Sequence, residues 1–148
     1  MSNAICAFFE LSHHRRTERA RSGVAAEVRS ASRRIREHCI HGSFDGVRYL
    51  SRKTIELMTA DHLGPITGAP DLLLPGYGFG LGFAVRLQPG IAHVPGSVGQ
   101  YFWGGLAGTT FWVDPAEQLF AIMMIQAPGQ RDYFRTLFRD LVYAAFDD

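Results

Sequence analysis

From residue 77 to residue 87 the chain alternates strictly between large apolar side chains and very small ones. In an extended chain Tyr77, Phe79, Leu81, Phe83 and Val85 point one way, and Gly78, Gly80, Gly82 and Ala84 point the other. A period of two is the signature of a strand, so this stretch commits the chain to a sheet. Glycines in a strand supply no packing of their own, and a whole face of them implies that something lies very close against it. The run is not a nucleotide-binding loop, because G-x-G-x-x-G leading into a helix is absent.

Around this strand the punctuation is regular. Asp45-Gly46 reads as a turn, and residues 47–50 follow as a short extended run. Ser51 is placed to N-cap a helix carrying Ile55, Leu57, Met58 and Leu63, which Gly64-Pro65 would stop. Residues 68–76 read as a loop, and residues 89–99 as a long connection. Residues 100–103, 109–113 and 119–126 read as further strands, with a turn at Asp114-Pro115. Phe134, Leu137, Phe138, Leu141, Val142 and Ala145 then fall at i, i+3, i+4, i+7, i+8 and i+11. That spacing predicts an amphipathic C-terminal helix with Asp132, Arg135, Arg139 and Asp140 on its wet side. Strands joined by turns favour antiparallel pairing. The expectation is an α+β unit: an antiparallel sheet of three to four strands flanked by helices.

Composition divides the chain in two. Residues 1–41 carry eight arginines against four glutamates, a net +4, whereas residues 42–148 carry a net −3. Fifteen of the 16 glycines and nine of the 11 phenylalanines lie after residue 41, so the sheet belongs to that part. Residues 1–43 read as an arginine-rich leader. Val24, Val28, Ala31, Ile35 and Cys39 form a thin helical stripe in it, consistent with a surface helix or a partly disordered arm. A net charge of +1 for the whole chain excludes a strongly basic nucleic-acid binder, and nucleic acid is not the expected partner; the less favoured alternative is a nucleic-acid patch on the arginines of the leader. His13-His14 and the His38-Cys39/His41 group lack the carboxylates or cysteine pairs of a metal set, so neither metal nor cofactor is expected. No apolar run approaches the roughly 20 residues of a membrane span. No signal peptide is visible, which leaves the cytoplasm as the default compartment.

Residues 101–115 hold the densest chemical hint. Three glycines within five positions (104, 105 and 108) leave backbone bare beside Tyr101, Phe102, Trp103 and Trp112. A bare strand lets a ligand lie against the backbone and take its amides as donors. Equally, it allows a tight bend packed against the last helix.

Here the chain resembles a family. Gly78-Phe79-Gly80-Leu81-Gly82-Phe83, Trp103-Gly104-Gly105, Gly108-Thr109-Thr110-Phe111-Trp112-Val113-Asp114-Pro115 and Met123-Met124-Ile125-Gln126 occur in the order seen in serine β-lactamase-like hydrolases. These are the class C β-lactamases, penicillin-binding proteins and family VIII-type esterases. Asp45-Gly46-Val47-Arg48-Tyr49-Leu50-Ser51 and Thr54-Ile55-Glu56-Leu57-Met58 are similar to that family's approach to the same region. The resemblance covers roughly residues 44–146, so residues 44–148 are expected to form the C-terminal part of such a domain, a partial β-lactamase/transpeptidase-like fold. It implies that Trp103, Gly104 and Gly105 stand where K-T-G lies beside the substrate, with Trp103 replacing the lysine. W-G-G resembles the esterase branch. It also implies that the backbone amide of Leu106 serves as one donor of the oxyanion hole.

The family's nucleophile is the serine of S-x-x-K, assisted by Y-x-N or S-D-N. None of these motifs occurs here: Lys53, the one lysine, has Leu50 three positions before it, and Asn3 is the one asparagine. His62 and His93 have no serine or carboxylate arranged to replace them. The chain alone is therefore expected to be inactive, a C-terminal fragment behind a leader of foreign sequence from a shifted frame, internal start or truncation. A small ester or β-lactam-like molecule would be its substrate only once completed by the missing N-terminal part. The alternative is a non-catalytic binding or dimerisation module, in which Tyr101, Phe102 and Trp112 face a partner or a second copy.

Overall fold

A computed structural model describes residues 6–10, 42–44, 46–64 and 73–145. The helical stripe expected from Val24 to Cys39 lies outside these, as do residues 68–72 of the expected 68–76 loop. The elements in chain order are β1 (Cys6–Glu10), β2 (Ser43–Phe44), β3 (Val47–Arg48), α1 (Arg52–Met58), β4 (Tyr77–Phe79) and β5 (Ala84–Arg86). They continue with β6 (Tyr101–Gly104), β7 (Thr110–Asp114), β8 (Leu119–Met124), a 3-10 turn (Pro128–Gln130) and α2 (Arg131–Ala144).

One sheet organises the molecule, in the order β1-β8-β7-β6-β5-β4. Strands β4 to β8 form an antiparallel meander, joined by short turns except between β5 and β6, where residues 87–100 make a long connection. The α+β expectation therefore holds, with five antiparallel strands where three to four were expected. A sixth, β1, pairs parallel with β8, Cys6 opposite Phe120; nothing in the sequence pattern singled it out. β2 and β3 form a separate hairpin whose turn uses Gly46 at φ +77°.

The single strand expected over residues 77–87 is instead a hairpin, with Phe79 opposite Ala84. Gly80 N–H donates to the Phe83 carbonyl at 2.8 Å, and Gly82 takes φ +97°, which turns the chain where alternation alone would have continued it. The close neighbour inferred from the glycine face is present. A β-carbon on Gly78 would overlap the Asp61 carboxylate, and one on Gly80 would overlap the Met58 carbonyl. Leu81 N–H donates to that carbonyl at 2.8 Å, and Asp61 accepts from Phe79 N–H at 3.1 Å. The end of α1 is thereby stitched to the hairpin. Ser51 caps α1 as expected, accepting from Thr54 N–H at 3.0 Å. The helix ends at Met58, before Leu63, because Asp61 draws the following amides of Leu63 and Gly64 into a turn.

The core lies on both faces of the sheet. Trp112, Leu119, Ala121, Met123 and Ile125 meet Phe138 and Val142 of α2, while Val85, Tyr101, Val113 and Phe120 form the second cluster. Helix α2 thus presents its expected stripe at Phe138 and Val142, with Phe134 half-buried, and leaves Leu137, Leu141 and Ala145 of that stripe exposed.

Candidate functional site

Arg139 corrects the helical-wheel reading: it is buried, 5% exposed, rather than on the wet side of α2. Its guanidinium lies 5.1 Å from the Phe102 ring centroid and 5.0 Å from that of Trp112. Its Nη1 donates to Tyr77 Oη and Gln100 Oε1, both at 3.3 Å. Aromatic faces and oriented dipoles compensate the charge, which hydrophobicity patterns cannot represent. The network continues: Tyr77 Oη donates to Gln100 Oε1 at 2.9 Å, and Gln100 Nε2 donates to Tyr143 Oη at 2.9 Å. Tyr143 Oη donates in turn to Asp114 Oδ2 at 2.6 Å. Asp114 is fully buried and also accepts from Ser97 N–H at 2.9 Å. Burial first, then the bond to the Asp114 carboxylate, pushes the Tyr143 hydroxyl far above its ordinary range. This cluster fastens α2 and the 89–99 connection to the sheet.

At the other end of β6 stands the expected glycine box. Trp103 makes an edge contact with Phe79, ring centroids 5.1 Å apart, and its carbonyl accepts from Thr110 Oγ1 at 3.1 Å. Gly104 pairs with Thr110, after which the chain leaves the sheet. Residues 105–109 close a small loop: Gly108 N–H donates to the Gly105 carbonyl at 3.1 Å, and Gly105 N–H to the Thr109 carbonyl at 2.8 Å. Gly108, at φ +116°, sits against Ile125, and Ala127 N–H donates to the Ala107 carbonyl at 2.7 Å. Leu106 projects from this loop, 78% exposed. Among the described residues no backbone carbonyl accepts its N–H.

Gly104 has a structural reason to be glycine. Arg135 of α2 lies over it, so that a β-carbon would overlap Nη2. Arg135 Nη2 donates to the Gly105 carbonyl at 2.6 Å and to the Thr109 carbonyl at 3.2 Å. The bend packed on the last helix is therefore realised at Gly104. Burial lowers the Arg135 pKa, with Asp132 partly opposing it at 3.6 Å. Sequence patterning missed Arg135 by reading it as a solvated residue. The available signal was its phase: 135, 138/139 and 142 follow one helical stripe.

A cavity of about 530 Å³ runs between β6 and α2. Residues Trp103, Gly104, Gly105 and Leu106 line it from the sheet, and Arg131, Arg135 and Arg139 from the helix. The four sequence-predicted site residues thus border one groove. Tyr101 and Trp112, expected to face a partner in the alternative reading, are buried in the core, and Phe102 packs against it. His62 Nε2 is engaged with the Leu57 carbonyl at 2.8 Å, and Lys53 with Glu56 at 2.6 Å. No group of three His, Cys, Asp or Glu residues capable of holding a metal ion occurs among the described residues. Among the described residues no helix is long and apolar enough to cross a membrane.

No family model matches the chain. Over 94 aligned residues, 57% of its length, it is 35% identical to protein Rv1367c of Mycobacterium tuberculosis strain ATCC 25618 / H37Rv. The same identity and coverage hold for the uncharacterized protein MT1414 of strain CDC 1551 / Oshkosh. The match takes up 23% of each of these proteins. Among solved structures the chain is similar to EstCE1, a hydrolase with promiscuous acyltransferase activity, with a TM-score of 0.61 and 27% identity. That similarity covers 72% of this chain and 27% of EstCE1, so the chain spans about a quarter of the proteins it matches. The meander and its C-terminal helix have a hydrolase-like fold.

Proposed function

We propose that this chain is the C-terminal sheet-and-helix part of a β-lactamase-like serine hydrolase of the esterase branch. In this reading it supplies the sheet wall beside the substrate and one oxyanion-hole donor, the amide of Leu106. The observation that carries the proposal is the end of β6, where Trp103-Gly104-Gly105 leads into a turn presenting Leu106 at the surface beside the groove. The similarity to EstCE1 supports it at the level of the fold.

Attack of a serine hydroxyl on an ester carbonyl places negative charge on the carbonyl oxygen. An amide held in position before that charge develops stabilises it with little reorganisation. Trp103 places an indole where K-T-G places an ammonium, which suits a neutral acyl group better than an anionic β-lactam. The nucleophile and its lysine must come from another polypeptide segment, because S-x-x-K and Y-x-N are absent. Alone, the chain lacks the means to form an acyl-enzyme.

The test is complementation. The chain is mixed or co-expressed with an N-terminal β-lactamase-like segment carrying S-x-x-K and Y-x-N, and hydrolysis of a chromogenic ester is followed. Hydrolysis only when both parts are present, and lost on alanine substitution of the serine, supports the reading. Association of the two parts without turnover rejects it in favour of a binding module.

A further inference from the structure

We propose that Arg135 is a positioning residue for the Leu106 amide, holding the Gly105–Leu106 peptide so that its N–H faces away from the guanidinium. This inference rests on the role proposed above for Leu106. The Gly105 carbonyl and the Leu106 N–H belong to one peptide unit, and the described residues contain no cis peptide bond. In a planar trans peptide these two groups point in opposite directions. Whatever fixes the carbonyl therefore fixes the direction of the N–H.

Arg135 fixes it from one side. Its Nη2 donates to the Gly105 carbonyl at 2.6 Å, and Gly108 N–H donates to the same oxygen at 3.1 Å. Both lone pairs of that carbonyl are therefore engaged. The same Nη2 reaches the Thr109 carbonyl at 3.2 Å, which also accepts Gly105 N–H at 2.8 Å, so one guanidinium nitrogen spans both ends of the loop. The approach requires a bare Gly104, over which the guanidinium lies. The stem is anchored because Phe138 and Val142, further along α2, are in the core.

A cationic donor makes a stronger hydrogen bond than a neutral one, and bonded peptide groups polarise one another. A guanidinium on the carbonyl therefore also makes the N–H of the same peptide a better donor. A different assignment for the groove is a stripe of arginines at 131, 135 and 139 binding a free anion. The hydrogen bonds count against it: Arg135 Nη2 is committed to two carbonyls and Arg139 Nη1 to Tyr77 and Gln100.

The experiment is NMR on the isotopically labelled full chain, comparing the parent with Arg135→Met and Arg135→Lys. Arg135→Met keeps an apolar stem and removes the donors; Arg135→Lys restores a cationic donor. In Arg135→Met the Gly105 carbonyl carbon and the Leu106 amide nitrogen move upfield, and the Leu106 heteronuclear NOE falls. The Trp112 indole resonance stays in place, and Arg135→Lys recovers part of each change. Gly105 and Leu106 resonances that coincide in parent and Arg135→Met overturn the proposal, as does a lysine variant indistinguishable from the methionine one. If Arg135→Met fails to fold, Gly104→Ala provides the second variant. Its β-carbon displaces the guanidinium and must shift the same two resonances, and unchanged resonances overturn the proposal. Ester hydrolysis in the complemented pair is scored separately, where Arg135→Met should lower kcat roughly tenfold with KM unchanged. A clear NMR signature without turnover by the parent pair rejects the hydrolase reading and leaves the clamp standing. Turnover without the signature rejects the clamp alone.

Discussion

Replacing Tyr143 with phenylalanine removes a single oxygen and tests the network at the link between Gln100 and Asp114. The ring remains, stacked on Trp112 at 6.4 Å, so packing changes little. The bonds lost include the donation to Asp114 at 2.6 Å and the acceptance from Gln100 Nε2 at 2.9 Å. A hydrogen bond to a charged group contributes about 1.5–3 kcal/mol, and a buried donor left without an acceptor costs about 1–3 kcal/mol. Removing the buried hydroxyl itself offsets part of this, so the net loss should be about 3 kcal/mol. For a chain near 150 residues each kcal/mol shifts the melting midpoint by about 2–4 °C, which gives a fall of roughly 6–12 °C. The assay is urea and thermal unfolding by near-ultraviolet circular dichroism. Alkali supplies a second reading. The folded-state pKa of Tyr143 is raised above its ordinary 10.0, first by burial and then by its bond to Asp114. Its contribution is therefore complete below pH 10.0 and is lost as pH rises above that value. Tyr143→Phe should flatten this alkaline loss while lowering stability at neutral pH. A loss below about 1 kcal/mol at pH 7 would refute the assigned bonds.

Four further outcomes follow from the same geometry. Gly80→Ala should destabilise by about 1–3 kcal/mol in urea unfolding, since its β-carbon meets the Met58 carbonyl, a backbone atom already bonded to Leu81 N–H. Gly129→Ala, with open space around it, should be neutral or slightly stabilising and serves as the matched control. For Asp61, burial raises the carboxyl pKa but the N–H groups of Leu63, Phe79 and Gly64 together outweigh it, so the folded-state value lies below the ordinary 3.8. Its stabilisation is present above pH 3.8 and lost as pH falls through the depressed value, so Asp61→Asn should flatten the acid limb of the urea midpoint against pH. Leu106→Pro deletes the proposed oxyanion donor at the second position of the Gly105–Gly108 turn, where proline is accommodated. The melting midpoint should be nearly unchanged while ester turnover in the complemented pair falls on the order of 100-fold or more.

Much of the sheet was legible because its signals are local. The strands at 101–104, 110–114 and 119–124 carry β-like runs closed by turn residues, and Asp114-Pro115 begins a turn in which Gln118 N–H donates to the Pro115 carbonyl. Ser51 announced its helix through one hydroxyl. The hairpin at 80–83 was hidden because alternation is blind to direction, and only the positive φ of Gly82 reverses the chain. β1 was hidden for a different reason, since its pairing with β8 joins residues from opposite ends of the chain. At the site, the glycine box announced a close approach, but Arg135 and Arg139 read as solvated charges. Their burial depends on carbonyls and aromatic rings supplied by other elements, which no single stretch of sequence displays.

The setting of Arg139 also makes the seating of α2 discrete. A helix held by an apolar stripe alone can slide along a sheet with gradual exchange of contacts. Here a shift of one turn, about 5.4 Å, would carry the guanidinium off both rings and away from Tyr77 and Gln100. A buried charge stripped of its partners costs several kcal/mol, so intermediate positions are steeply unfavourable. Arg139 thus indexes the helix against the sheet as a pin indexes a dial. Because Arg135 lies one helical turn earlier on the same face, the pin at one end of the groove sets where the guanidinium lands over Gly104 at the other.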